Sequence, residues 1–149
     1  MKNILFVCTG NTCRSPMAEG LFNHFCKERA LPYTCQSAGL ATCTGLPVSE
    51  NSAKALEQMR IDISHYSSTS IADAQLQGVD LFAVMTPEHR DMLMYFGVPE
   101  DKIYILNGAK GGISDPYGGS LSRYMQCAEE ICEAVEALIE YLGEQNGDN

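Results

Sequence analysis

The chain reads as an α/β protein, a parallel sheet with helices on both of its faces. Two observations predict this. Short apolar runs alternate with amphipathic helical patterns along the sequence. The helical segments fall between the runs, where crossovers joining parallel strands must lie. No repeat, low-complexity tract or linker-like stretch interrupts the alternation, so residues 1–149 are expected to form one domain.

The elements follow in order. "NILFVC" (3–8) is the first strand, and a helix is expected from Pro16 to Arg29. "YTCQSAG" (33–39) is the second strand, followed by a helix near Pro47 to Met59. "DLFAVM" (80–85) and "KIYIL" (102–106) are the third and fourth strands, with the helix "TPEHRDMLMYFG" between them. Thr86, Pro87 and Glu88 form a helix start: a capping hydroxyl, proline in the first turn, then an acid. Ser15 before Pro16 looks the same. The C-terminal segment spaces Tyr124, Cys127, Ala128, Ile131, Val135, Leu138, Ile139 and Leu142 by threes and fours, one apolar face of a long helix.

Composition narrows the function classes. A formal charge of −9 opposes binding to nucleic acid, whose phosphates the overall field would repel. Nothing approaches the run of apolar residues that a membrane span needs, and "NILFVC" is too short for a secretory signal. A cytoplasmic location is therefore expected. The seven cysteines include no CxxC pair, so a zinc knuckle or thioredoxin-like site has little support, and most thiols are expected to be reduced.

The stretch "CTGNTCRS" (8–15) sits between the first strand and a helix, where open α/β sheets bind their ligands. Gly10 and Asn11 tolerate the left-handed backbone that an anion-binding nest uses. The following helix adds unpaired N–H groups and a positive dipole end. Arg14 would close the ring with a fork that matches two phosphoryl oxygens. A cysteine at the base of such a cradle is set up as a phosphoryl acceptor. A cysteine and an arginine six places apart are weak alone, and Cys8 could be a small buried hydrophobe; the strand, glycine and helix start around them carry the case. A nucleotide-binding P-loop is excluded, because the second glycine and the lysine it requires are absent.

With those residues in view, "VCTGNTCRSPMAEGLF" (7–22) resembles the signature of the low-molecular-weight protein tyrosine phosphatase family. Further pieces similar to the family occur in the right order: "SAG" (37–39), "DISH" (62–65), "VMTPEH" (84–89) and "DPYGGS" (115–120). The resemblance implies a three-layer sandwich with a four-stranded parallel sheet, flavodoxin-like and of phosphotyrosine phosphatase I type. It implies Cys8 as nucleophile, Arg14 as transition-state ligand, and Thr9, Gly10, Asn11, Thr12, Cys13, Arg14 and Ser15 as the phosphate-binding stretch. Asp115, which by itself marks only an Asp-Pro turn, becomes the general acid and then the base toward water. Ser15 would ease departure of the thiolate, and Asn11, Ser37 and His65 would brace the loop. Cys13 is either a packed thiol or, as the family implies, a redox partner that traps oxidised Cys8 as a disulfide. No metal and no cofactor are implied.

Thr12 bears on the substrate. Many relatives carry a bulkier aliphatic residue there, often isoleucine, whereas threonine resembles the bacterial branch that removes phosphate from arginine. Tyr117 would line the same pocket, stacking on a ring or on a guanidinium plane. The expected partners are phosphorylated proteins, with inorganic phosphate as product and inhibitor, and the chain acting as a monomer. Phosphoarginine is favoured and phosphotyrosine is the alternative. A thiol-linked arsenate reductase would need a further cysteine between Cys43 and Cys127, and none is there. A non-catalytic phosphoprotein-binding module would not be expected to keep Cys8, Arg14 and Asp115 together. His24 and His89 are read as structural, as are Cys26, Cys35, Cys43, Cys127 and Cys132.

Overall fold

β1 (Lys2–Cys8) pairs in parallel with β2 (Tyr33–Gly39) on one side and β3 (Leu81–Val84) on the other, and β4 (Ile103–Ile105) pairs with β3. This arrangement is seen in a computed structural model that describes residues 2–146, and it gives the strand order β2-β1-β3-β4. As expected from the sequence, the sheet is four-stranded, parallel and covered by helices. Leaving β1, the chain crosses first to one side and later to the other. The crevice of an open sheet therefore opens at the carboxyl end of β1, at Cys8.

Alternation along the strands sorts the core into two layers. Ile4, Phe6 and Cys8 of β1 pack with α1 (Arg14–Glu28), α2 (Glu50–Glu57) and α4 (Leu121–Asn146). Leu5 and Val7 face the opposite way, with Phe82 and Val84 of β3 and Leu93 of α3 (Pro87–Tyr95). Phe6 meets Phe22 of α1 edge to face, with ring centroids 5.5 Å apart. On α4 the expected stripe is buried from Tyr124 to Leu142, except that Ile139 is only partly covered. No helix among the described residues is long and apolar enough to cross a membrane.

Thr86 caps α3 as predicted, its hydroxyl accepting the His89 N–H at 3.2 Å. Two helix starts differ from expectation. α1 begins at Arg14 rather than Pro16, because proline is tolerated throughout a first turn, where N–H groups have no partner within the helix. α2 begins at Glu50 with Ser49 as its cap, because Pro47 is extended in an antiparallel bridge to Ser67.

Gly39 ends β2 directly beside the loop that leaves β1. A Cβ there would lie 2.7 Å from the Thr9 carbonyl oxygen and 3.0 Å from Asn11 Cβ. Gly39→Ala is expected to destabilise the protein by about 1–3 kcal/mol, the cost of overpacking against fixed backbone. Urea denaturation of the variant beside the wild type measures it, and an unchanged midpoint would contradict the close approach.

Candidate active site

Residues 9–13 leave β1 and turn into α1, held by backbone bonds to two other parts of the chain. The Cys8 and Thr9 carbonyls accept the N–H groups of Leu40 and Ala41 at 2.9 and 3.0 Å, and the Thr12 carbonyl accepts that of Ser49 at 2.9 Å. Asn11 adopts the left-handed conformation, with φ 56°. Gly10 does not, so its expected role as a left-handed residue passes to Asn11 alone; a Cβ at Gly10 would meet Thr12 Oγ1 at an ordinary 3.6 Å.

The Cys8 sulfur is buried and accepts the Asn11 N–H at 3.2 Å, with Ser15 Oγ 2.9 Å away. Asn11 Nδ2 donates to Ser15 Oγ at 2.7 Å and to Ser37 Oγ at 2.9 Å. With its oxygen already accepting, the Ser15 hydroxyl is left to donate its hydrogen to Cys8. This corrects the expectation that Ser15 caps α1: it lies inside the helix, and the N-cap position, Cys13, supplies no side-chain cap. Ser37 likewise passes its hydrogen to Glu19 Oε1 at 2.5 Å, and Asn11 Oδ1 accepts the Thr69 N–H at 2.8 Å.

His65 joins this network through its charge on Glu19 and not through a hydrogen bond to the loop. It is exposed, packs edge-on against Tyr66 with ring centroids 5.0 Å apart, and makes no hydrogen bond to Asn11 or Ser37. Ser37 has one hydroxyl hydrogen, and Glu19 takes it. Burial raises the Glu19 pKa, with the Ser37 hydrogen bond and the charge of His65 acting against it. Glu19 was not legible as a site residue, although its place one helical turn after Ser15 put both on one face of α1.

Arg14 is 4% exposed. It donates to the Ile113 carbonyl at 2.8 Å and lies 3.7 Å from Asp115 Oδ2, while its buried Nε–H has no partner among the described residues. Cys8, Arg14 and Asp115, more than 100 residues apart at the extreme, thus line one cavity of about 240 Å³ with Thr9, Thr12 and Tyr117. Gly10 and Cys13 complete it. A wider groove of about 510 Å³ beside α2 is lined by surface charges such as Lys54, Glu57 and Arg60, and contains no cysteine. Asp115 is half exposed, its Oδ1 accepting the Tyr117 N–H at 3.0 Å. Arg123 steadies this loop from α4 by donating to Ser114 Oγ at 2.6 Å.

Cys13 is buried, its sulfur 3.5 Å from the Tyr124 hydroxyl. Burial, then the contact with Cys13, pushes the Tyr124 phenol up to about 12. His89, read as structural from sequence, reaches the loop: its Nε2 lies 2.9 Å from Thr9 Oγ1. Burial, then the charge of Arg14, lowers its pKa to about 4. Among the described residues no three His, Cys, Asp or Glu side chains gather in a way that could hold a metal ion.

Comparison with known proteins matches residues 3–147 to the family described as low molecular weight phosphotyrosine protein phosphatase. The chain is 34% identical over 145 residues to a protein-arginine-phosphatase of Bacillus subtilis, covering 94% of this chain and 96% of the relative. A crystal structure of a low molecular weight protein tyrosine phosphatase from T. tengcongensis superposes with TM-score 0.89 at 37% identity, covering 95% of this chain and 99% of the other. A mutant arginine phosphatase with a phosphorylated active site serine superposes with TM-score 0.88 at 31% identity, covering 97% of each chain.

Two expectations follow from the geometry. Asn11→Ala removes the bonds to Ser15, Ser37 and Thr69 and leaves a left-handed alanine, so unfolding free energy should fall by about 3 kcal/mol in urea titrations. The His89 ring has its folded pKa near 4, against about 6.5 when unfolded. Between those values the unfolded chain binds more protons, so the contribution is full above pH 6.5 and is lost as pH falls toward 4. Comparing wild type with His89→Gln at pH 7.5 and 4.5 should show the wild type losing up to about 3 kcal/mol more on acidification.

Proposed function

Because the chain belongs to the low molecular weight phosphotyrosine protein phosphatase family, we propose that it removes phosphate from phosphorylated protein side chains through a cysteinyl-phosphate intermediate on Cys8, with phosphoarginine preferred to phosphotyrosine. The observation that carries this reading is the buried Arg14 guanidinium, which lines a cavity with Cys8 and keeps an Nε–H without a partner among the described residues. A buried cation with an unused donor calls for an anion. Similarity to an arginine phosphatase and the presence of Thr12 on the cavity wall support the choice of arginine.

Cys8 attacks phosphorus as its thiolate, forming an S–P bond as the P–N bond to the guanidine breaks. Asp115 gives its proton to the leaving nitrogen, which as a strong base departs far more readily once protonated. Asp115 lies 3.7 Å from Arg14 and is half exposed, so a phosphoryl group competing for the guanidinium releases its carboxyl, which takes up a proton from solvent and faces the leaving atom. Arg14 and the N–H groups of residues 9–15 hold the three phosphoryl oxygens. A water molecule then attacks phosphorus, passing its proton to Asp115. The S–P bond breaks, and the sulfur leaves onto the hydroxyl of Ser15 and the N–H of Asn11. Inorganic phosphate is the product and competes for the same cradle.

In this reading residues 1–149 form one domain that acts as a monomer in the cytoplasm, without metal or cofactor and without nucleic acid or membrane as partner. Cys13 serves as the redox partner of Cys8. The second reading is phosphotyrosine hydrolysis on the same machinery. It is favoured by Tyr117, which is 80% exposed on the cavity rim and free to stack on an aromatic ring.

Cys8→Ser is expected to lower turnover of an aryl phosphate by at least about 10³-fold, and Asp115→Asn by about 10²–10⁴-fold; near-normal turnover in Cys8→Ser would end the covalent mechanism. For the substrate, kcat/KM is compared on phosphoarginine and phosphotyrosine peptides. Thr12→Ile should move the ratio toward tyrosine by about tenfold or more, whereas an unchanged ratio would remove Thr12 as the selector.

A further inference from the structure

Thr9 and His89 form a pair that only the fold assembles. His89 is 5% exposed in the first turn of α3, with its Nε2 2.9 Å from Thr9 Oγ1. Its other ring nitrogen, Nδ1, is buried without a hydrogen-bond partner among the described residues. Burial and Arg14 keep the ring neutral down to about pH 4, against the opposing charges of Glu88 and Asp115, so near neutral pH it carries one proton. A buried N–H without an acceptor is rarer and costlier than a buried lone pair without a donor. The proton therefore sits on Nε2 and is donated to Thr9 Oγ1. That leaves the hydroxyl hydrogen of Thr9 uncommitted, on a residue that lines the cavity with Cys8 and Arg14.

The backbone at Thr9 is equally constrained. Its carbonyl accepts the Ala41 N–H at 3.0 Å, on the β2 side, while its hydroxyl is gripped from α3 on the β3 side. We propose that the Thr9 hydroxyl donates a hydrogen bond to a phosphoryl oxygen of the bound substrate, and that His89 is the positioning residue that orients it. The proposal rests on the phosphatase reading and adds a side-chain ligand to the cradle of backbone N–H groups. A guanidinium offers only donors, so the acceptor in the cavity is the phosphoryl group itself. The contact therefore serves phosphoarginine and phosphotyrosine alike, and its loss is felt as weaker affinity for phosphate.

The test measures kcat/KM on an aryl phosphate, and inorganic phosphate affinity by calorimetry, for Thr9→Val, Thr9→Ser, His89→Leu, His89→Gln and the Thr9→Val/His89→Leu pair. Thr9→Val and His89→Leu should each lower kcat/KM and phosphate affinity about tenfold. Thr9→Ser, which keeps the hydroxyl, and His89→Gln, which keeps a donor near the Nε2 position, should stay within about threefold of wild type. The double variant should lose no more than the worse single one. Wild-type phosphate affinity in Thr9→Val, additive losses in the double variant, or equal losses in His89→Gln and His89→Leu would each overturn the proposal. Should His89→Leu fail to fold, the Thr9→Val and Thr9→Ser comparison still decides it. If the wild type hydrolyses no phosphorylated side chain, the phosphatase reading fails, while phosphate affinity in Thr9→Val still judges the contact.

Discussion

The side-chain amide of Asn11 is the joint on which the site depends. Its nitrogen donates to Ser15 and Ser37, its oxygen accepts from Thr69, and its own backbone N–H points at the Cys8 sulfur. One side chain thus ties the loop to α1, to β2 and to the segment after α2. To do so it holds a left-handed backbone, which asparagine tolerates better than most residues. Each hydroxyl in the network has one hydrogen, so the amide also sets their directions. Ser15 must donate toward the sulfur and Ser37 toward Glu19.

Charge is handled locally in a chain whose overall balance is strongly acidic, with a net formal charge of −9. The cavity relies on one buried arginine, oriented N–H groups and the start of α1, none of which needs a basic surface. Asp115 supplies the counter-charge to Arg14 at 3.7 Å. It is also the more exposed of the two, with about half of its side chain open to solvent. Burial keeps the neighbouring groups uncharged near neutral pH, pushing the His89 imidazole down to about 4 and the Tyr124 phenol up to about 12, so neither disturbs the field of Arg14.

The two faces of the sheet divide the labour. The cluster built on Ile4, Phe6 and Cys8 packs α1, α2 and α4 around Cys8 and carries Cys13 and Tyr124 beneath the loop. The opposite cluster seats α3, whose first turn brings His89 to Thr9. The loop leaving β1 is therefore braced from both layers, as a switch point between two crossovers allows.

The sequence by itself determined the α/β class, the strands and the position of the loop, because apolar alternation and Ser/Thr–Pro helix starts are local signals read within a few residues. β2 matched residue for residue, and Cys8 and Arg14 were legible from the stretch that contains both. Asp115 could be picked only through resemblance, since an Asp-Pro turn carries no signal of its own partner. Tertiary structure alone decided the rest. Glu19, not His65, takes the hydrogen of Ser37, Ser15 proved to lie inside α1 rather than cap it while keeping the contact with Cys8 that the resemblance implied, and His89 joined a residue 80 positions away. The physical reason is the same in each case. A hydroxyl or imidazole has few hydrogens to give, and which acceptor receives them depends on distances that sequence spacing does not encode.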